Sequence, residues 1–349
     1  MPLTQPQIDP AFVFDLYRGR LSTEILCAVA CRTRFFQELG ASGLSADAIQ
    51  ERLGWSPRAI SVVTTALRAM QFLTKSDNGL FQSTQAARLF LNSESEFALT
   101  GYLGLSAQSP SVTAFLEAIQ RPAPSATTEQ GTAFTFRSDK PSAMDDPDFA
   151  RFLTMSLAGR GRCVAPVVAE VATPNTNDST LLDIGGGSGF YSIAYLLAYP
   201  QLKAVVWDRP EVLKVAHENA IAHGVADRLQ CIGGDMFTDP FPIQANMLLV
   251  SNILHDWDTH EIHHLLRHWH NQSPTGARLI LHDVYLNDNL DGPLPIALYS
   301  ADLFYLTEGR AYSRAEYLQF FQESGWFTDP VQKIRPTSAH CGILETVKL

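Results

Sequence analysis

Residues 181–190 read Leu-Leu-Asp-Ile-Gly-Gly-Gly-Ser-Gly-Phe. A short apolar run carries one acid, Asp183, and then meets Gly185, Gly186, Gly187 and Gly189 in quick succession. That composition describes a buried parallel strand turning sharply into a helix, with its backbone left open to a ligand. The ligand that a doubly wound sheet takes at such a turn is a dinucleotide or an adenosyl compound.

Working outward, apolar strands are expected at 181–184, 203–207, 246–251 and 278–282, with helical stretches between them. This alternation predicts a doubly wound, mostly parallel α/β sheet covered on both faces. Cys341–Val347 reads as a final, antiparallel strand. Towards the N-terminus the pattern changes. Residues 11–40 are helical in their apolar spacing, Ser45 is placed to cap a short helix ending at Gly54, and Ser56-Pro57 opens a second that runs to about Phe72. Leu73–Phe81 then reads as two strands about Asn78-Gly79. Helix, helix and hairpin make a winged-helix-like unit. Its would-be recognition helix carries Arg58 and Arg68 amid much apolar surface, which suits packing or dimerisation better than base reading. Residues 121–147 are rich in Pro, Ser, Thr and Ala and read as an irregular link. The expected domains are 1–120, helical and dimerising; 121–175, a linker with connecting helices; and 176–349, the cofactor-binding domain.

The chain has 349 residues, 46% hydrophobic and 18% charged, with a formal net charge of −10, so extensive contact with a phosphate backbone is not expected. No apolar run is long enough for a membrane span, and the first residues do not resemble a secretory signal. Cys27, Cys31, Cys163, Cys231 and Cys341 are scattered and odd in number, which fits free thiols in a reducing cytoplasm. The apolar density of residues 11–40 and 58–72 predicts a homodimer.

The second strand ends at Asp208, about 20 residues beyond the glycine turn, where a carboxylate can accept from ribose hydroxyls. A third polar site follows at Gly234-Asp235-Met236-Phe237, able to present a carboxylate and a thioether to a heterocycle. Leu254-His255-Asp256-Trp257 closes the series. These blocks, in this order, resemble the dimeric, class I S-adenosylmethionine-dependent small-molecule O-methyltransferases of plants and of bacterial natural-product tailoring. The resemblance spans nearly the whole chain. It implies that S-adenosyl-L-methionine is the cofactor, bound by Asp183, Gly185 and Gly187, with Asp208 on the ribose and Asp235 and Met236 on the adenine. Ser251 stands where plant members carry a lysine. A nicotinamide oxidoreductase would share the glycine turn and Asp208, but would leave Asp235-Met236 and the His-Asp-Trp block unexplained.

Methyl transfer to a phenol, with a pKa of about 10, is helped by a base on the hydroxyl, and a histidine suits that task. His255 follows an apolar strand and so stands at the sheet's carboxyl edge. The two glutamates that flank the histidine in the plant enzymes map onto Asp283 and Ala311. Asp283 is expected to orient His255; alanine cannot, and Glu308 or Tyr312 is nearby in sequence. Asp256 either binds the acceptor or caps the next helix. Phe149, Phe152 and Met155, with Leu298, Asp302, Phe304 and Tyr305, are candidates for the acceptor pocket. No metal is expected. The missing carboxylate leaves transfer to carbon or nitrogen open, and a winged-helix regulator with an α/β sensor is the non-enzymatic alternative.

Overall fold

In the computed structural model, which describes residues 3–121 and 142–349, side-chain caps set the N-terminal helices. Ser45 Oγ accepts from the Ala48 amide at 3.2 Å and starts helix Ala46–Leu53, which Gly54 ends in the left-handed region. Ser56 does the same for Ala59 at 3.1 Å, ahead of Pro57 at the first position of helix Pro57–Ala69. Strands β1 (Leu73–Lys75) and β2 (Phe81–Ser83) pair antiparallel around the Asn78-Gly79 turn, completing the expected winged-helix order. Upstream, the helical stretch is broken into Ala11–Arg18, Arg20–Leu26, a π-helical Cys27–Arg32 and Phe35–Leu39.

These helices share a core in which Phe35 stacks on Trp55 with ring centroids 5.3 Å apart. Leu298, Ala301 and Phe304 of the late helix Leu294–Leu306 belong to the same core. Arg58 fastens that helix, donating to the carbonyls of Phe304, Thr307 and Gly309 and lying over the Phe304 ring. The described residues therefore fall into two compact units: one of residues 13–121 with 286–313, the other of residues 3–12, 142–285 and 314–349. This differs from the boundaries drawn from sequence at 120 and 175. Helix Pro147–Val171 packs with the sheet-bearing unit, and residues 286–313 leave it, because their apolar side chains complete the N-terminal core. Most of the link expected at 121–147 lies outside the described residues.

The second unit holds β3 (Thr180–Ile184), β4 (Lys203–Asp208), β5 (Leu229–Gly233), β6 (Met247–Ser251) and β7 (Arg278–Leu286). The short β8 (Tyr312–Ser313) belongs to the first unit, and β9 (Arg335–Pro336) and β10 (Cys341–Val347) close the chain. The order is β5-β4-β3-β6-β7-β10-β9. Pairing is parallel from β5 to β7, and β10 runs antiparallel to both β7 and β9, as expected for a final reversed strand. Every residue of β6 is buried, as a strand covered on both faces requires. Asp183, Asp208, Gly233 and Ser251 all fall at the carboxyl ends of parallel strands, the edge where open α/β sheets bind ligands. Among the described residues no helix is long and apolar enough to cross a membrane.

Candidate active site

The glycine turn is shaped by what surrounds it. Gly185 has φ +67° and donates its amide to the Trp207 carbonyl at 2.8 Å; a Cβ there would come within 2.4 Å of the Ile253 side chain. Gly187, at φ +55°, faces open space. The turn is thus packed at its base and open at its crest, which allows a ligand to lie on the main chain. Asp208 reaches this turn from β4, accepting from the Gly187 amide at 2.8 Å and from the Arg209 amide at 2.7 Å.

Asp183 is fully buried behind the turn. Its Oδ2 accepts from Ser192 Oγ at 2.7 Å, while Oδ1 is buried with no hydrogen-bond partner among the described residues. Burial pushes its carboxyl up to about 7, and the Ser192 hydrogen bond only partly offsets this. Asn252, in the left-handed region at φ +57°, also has a buried Oδ1 without a partner among the described residues, and precedes the Ile253 that packs on Gly185. Two buried oxygens with unused lone pairs, beside an open glycine crest, suit a ligand carrying an ammonium and hydroxyl donors. S-adenosylmethionine has both. Asp235 Oδ1 accepts from the Phe237 amide at 2.8 Å, which folds the turn after β5, and the Met236 carbonyl accepts from Trp269 Nε1. Ser251 points sideways instead: its Oγ shares a 2.8 Å hydrogen bond with His282 Nδ1 and accepts from Asn252 Nδ2. His282 Nε2 meets Thr337 Oγ1 at 3.1 Å, and burial holds this imidazole neutral, its pKa lowered to about 3.

His255 lies in the turn Leu254–Asp256 that follows β6, with 3% of its surface exposed. Its Nδ1 is 2.5 Å from Asp283 Oδ1 on β7, so in the neutral ring Nδ1 carries the proton and Nε2 the lone pair. The Val284 amide donates to the same Oδ1 at 2.7 Å, and Tyr317 Oη donates to Oδ2 at 3.0 Å. Asp256 Oδ1 stands 3.7 Å from His255 Nε2. Burial by itself lowers the imidazole pKa, but the charges of Asp283 and Asp256 and the Asp283 hydrogen bond outweigh it, so the net shift is upward. Burial drives the Asp256 carboxyl up to about 7 against the pull of His255. Arg160, from helix Pro147–Val171, opposes the protonation of His255 and His282 by its charge and donates to Cys341 Sγ at 3.0 Å.

The structure brings His255, Asp283 and Asp256 together, and adds Tyr317 and Arg160, which no motif announced. The helix after Trp257 is capped by Asp258, which accepts from the Thr259 amide, and Asp256 is free of that task. Phe152 and Met155 are 67% and 49% exposed on their helix, so neither is a core residue. Leu298 and Phe304 are core residues of the N-terminal unit, a correction to their reading as pocket walls. Asp302 is in that unit too, 2.9 Å from Arg20 Nη2, with burial raising its pKa against the pull of Arg20 and Arg18. Ala311 is buried and its amide donates to Ser300 Oγ.

Residues 142–327 match the O-methyltransferase domain, and the chain belongs to that family. It is 27% identical to the 3-hydroxy-5-methyl-1-naphthoate 3-O-methyltransferase of Streptomyces sahachiroi, over 90% of this chain and 89% of that one. It is 26% identical to the O-demethylpuromycin-O-methyltransferase of Streptomyces alboniger, over 92% and 84% of the two chains. The crystal structure of an O-methyltransferase family 2 protein from Planctomyces limnophilus, in complex with apigenin, superposes with a TM-score of 0.88 at 42% identity, covering 99% of this chain and 98% of that one. The protein is an S-adenosylmethionine-dependent O-methyltransferase.

Proposed function

We propose that this enzyme methylates a hydroxyl of an aromatic or polycyclic small molecule with His255 as general base. The observation that carries the reading is the buried His255–Asp283 pair, which places the proton of the neutral ring on Nδ1 and its lone pair on Nε2. When bound, S-adenosylmethionine supplies an electrophilic methyl on a sulfonium. His255 Nε2 would take the acceptor's O–H proton as the acceptor oxygen takes the methyl, the cofactor leaving as the neutral thioether. Asp283 stabilises the imidazolium so formed. Asp183, Gly185, Gly187, Asp208, Asp235 and Met236 hold the cofactor in this reading; Ser251 acts at one remove, through Asn252 and His282. Phe152, Met155, Asp256 and Asp302 are proposed to meet the acceptor. Similarity to a naphthoate enzyme and to an apigenin-bound structure supports a flat, hydroxylated aromatic acceptor.

His255→Asn, assayed with apigenin and with 3-hydroxy-5-methyl-1-naphthoate, is expected to lower kcat by about 10²–10⁴ and to leave S-adenosylhomocysteine affinity unchanged. Unaltered turnover on an accepted substrate would remove the base from the mechanism. The assembly proposed is a homodimer, because Leu16, Tyr17, Tyr102 and Leu105 of the N-terminal unit are 65–81% exposed. Sedimentation as a 38.5 kDa species would contradict it. A cytoplasmic location fits the five cysteines, all free. Arg58 and Arg68 donate to carbonyls of their own chain, which supports a packing role for the winged-helix-like unit and no nucleic-acid partner.

A further inference from the structure

A carboxylate that orients a base must itself be held, since a freely rotating Asp283 would let the imidazole turn with it. Asp283 is wholly buried on β7, and each of its oxygens is engaged. Oδ1 meets His255 Nδ1 at 2.5 Å and the Val284 amide at 2.7 Å. Among the described residues, Oδ2 accepts from the Tyr317 hydroxyl at 3.0 Å. The backbone amide cannot fix the carboxylate plane alone, because it binds the same oxygen as the histidine. We propose that Tyr317 is a positioning residue, whose hydroxyl locks the plane of the Asp283 carboxylate and so sets the orientation and basicity of His255.

Tyr317 is well placed to be rigid. It lies on helix Arg314–Glu323 with no exposed surface, and its ring packs edge-on against Tyr285 at 5.6 Å and Phe320 at 6.0 Å. A tyrosine has two side-chain torsions to fix, and here packing on several sides fixes them. A phenol hydrogen is also a strong donor to a carboxylate, strong enough to draw charge from it. The hydroxyl thus has two effects. It holds the carboxylate in the ring plane of His255, and it moderates how strongly Asp283 favours the imidazolium. Phenylalanine would keep the packing and lose both.

The proposal rests on His255 acting as the base, so the test separates the two. Among the described residues, the charged and titratable groups that act on His255 include Asp256 from its own turn, Asp283 and His282 from β7, and Arg160 from helix Pro147–Val171; none of these changes in Tyr317→Phe. In Tyr317→Phe, kcat is expected to fall about tenfold, with acceptor KM and S-adenosylhomocysteine affinity within about twofold of the parent. The acid limb of the kcat–pH profile should move up by about half a pH unit, since the unbonded Asp283 holds the imidazolium more firmly. A residue that served the fold alone would lower the amount of active enzyme without moving that limb. Should Tyr317→Phe fail to fold, incorporation of 3-fluorotyrosine at position 317 keeps size and hydroxyl while strengthening the donor, and the limb should then move down. An unmoved limb in whichever variant folds overturns the proposal. If His255→Asn turns over like the parent, the base itself is refuted and Tyr317 falls with it; if His255→Asn is inactive and the limb stays still, Tyr317 alone is refuted.

Discussion

Replacing Asp183 with asparagine should make the protein more stable above neutral pH and poorer at holding its cofactor. The carboxyl is fully buried, one oxygen accepts from the Ser192 hydroxyl at 2.7 Å, and the other has no partner among the described residues. Burial raises its pKa from 3.8 to about 7, so the folded state holds a proton that the unfolded chain has already released. The sign follows from linkage: where the folded state binds more protons, stability falls as pH rises. This group costs nothing well below pH 3.8, begins to cost as pH rises past that value, and reaches its full penalty above pH 7. At about 1.4 kcal/mol per pH unit, the loss between pH 4.5 and pH 8 is about 3 kcal/mol. Asparagine keeps an oxygen for Ser192 and carries no such slope. Urea unfolding followed by tryptophan fluorescence, at intervals from pH 4.5 to 8, should show the variant gaining on the parent by that amount across the range. Calorimetry with S-adenosylhomocysteine should show affinity reduced by about tenfold or more, through loss of a charged acceptor. Parallel stability curves would refute the argument, since they would mean that the buried carboxyl is charged at no cost.

Two further substitutions test the site. Gly185→Ala places a Cβ 2.4 Å from Ile253 at a positive φ and should destabilise by about 2–4 kcal/mol in urea unfolding, whereas Gly187→Ala, with open space around it, should cost only about 1 kcal/mol and act on cofactor affinity. Asp283→Asn removes the charge that lifts the His255 pKa, so the acid limb of the kcat–pH profile should move down while kcat falls by about 10²; an upward movement would contradict the assignment.

What the sequence announced and what it concealed divide along a physical line. Strand ends, caps and tight turns are local: the glycines of 185–189, Ser45, Ser56 and Asn78-Gly79 each carry their structural meaning within a few residues, and all stand where the sequence placed them. His255 and Asp283 are distant in sequence, but β6 and β7 are parallel neighbours with Ser251 opposite His282, so topology brings the turn after β6 to Asp283. Tyr317 has no such signature. It is one aromatic on a helix that also carries Phe320 and Phe321, and nothing in that apolar spacing says which ring turns its polar end to a carboxylate. Leu298 and Phe304 show the same loss of information from the other side. Their helix is apolar nearly all round, so its periodicity cannot tell which unit it serves, and it completes the N-terminal core although it follows the sheet in sequence. Arg58 resolves the choice through three carbonyls at that helix's end, contacts made across some 250 residues of chain. A chain that borrows a late helix for its early core ties the two stretches into one unit, so a fragment ending before residue 286 would leave Leu67, Phe115 and their neighbours short of apolar partners.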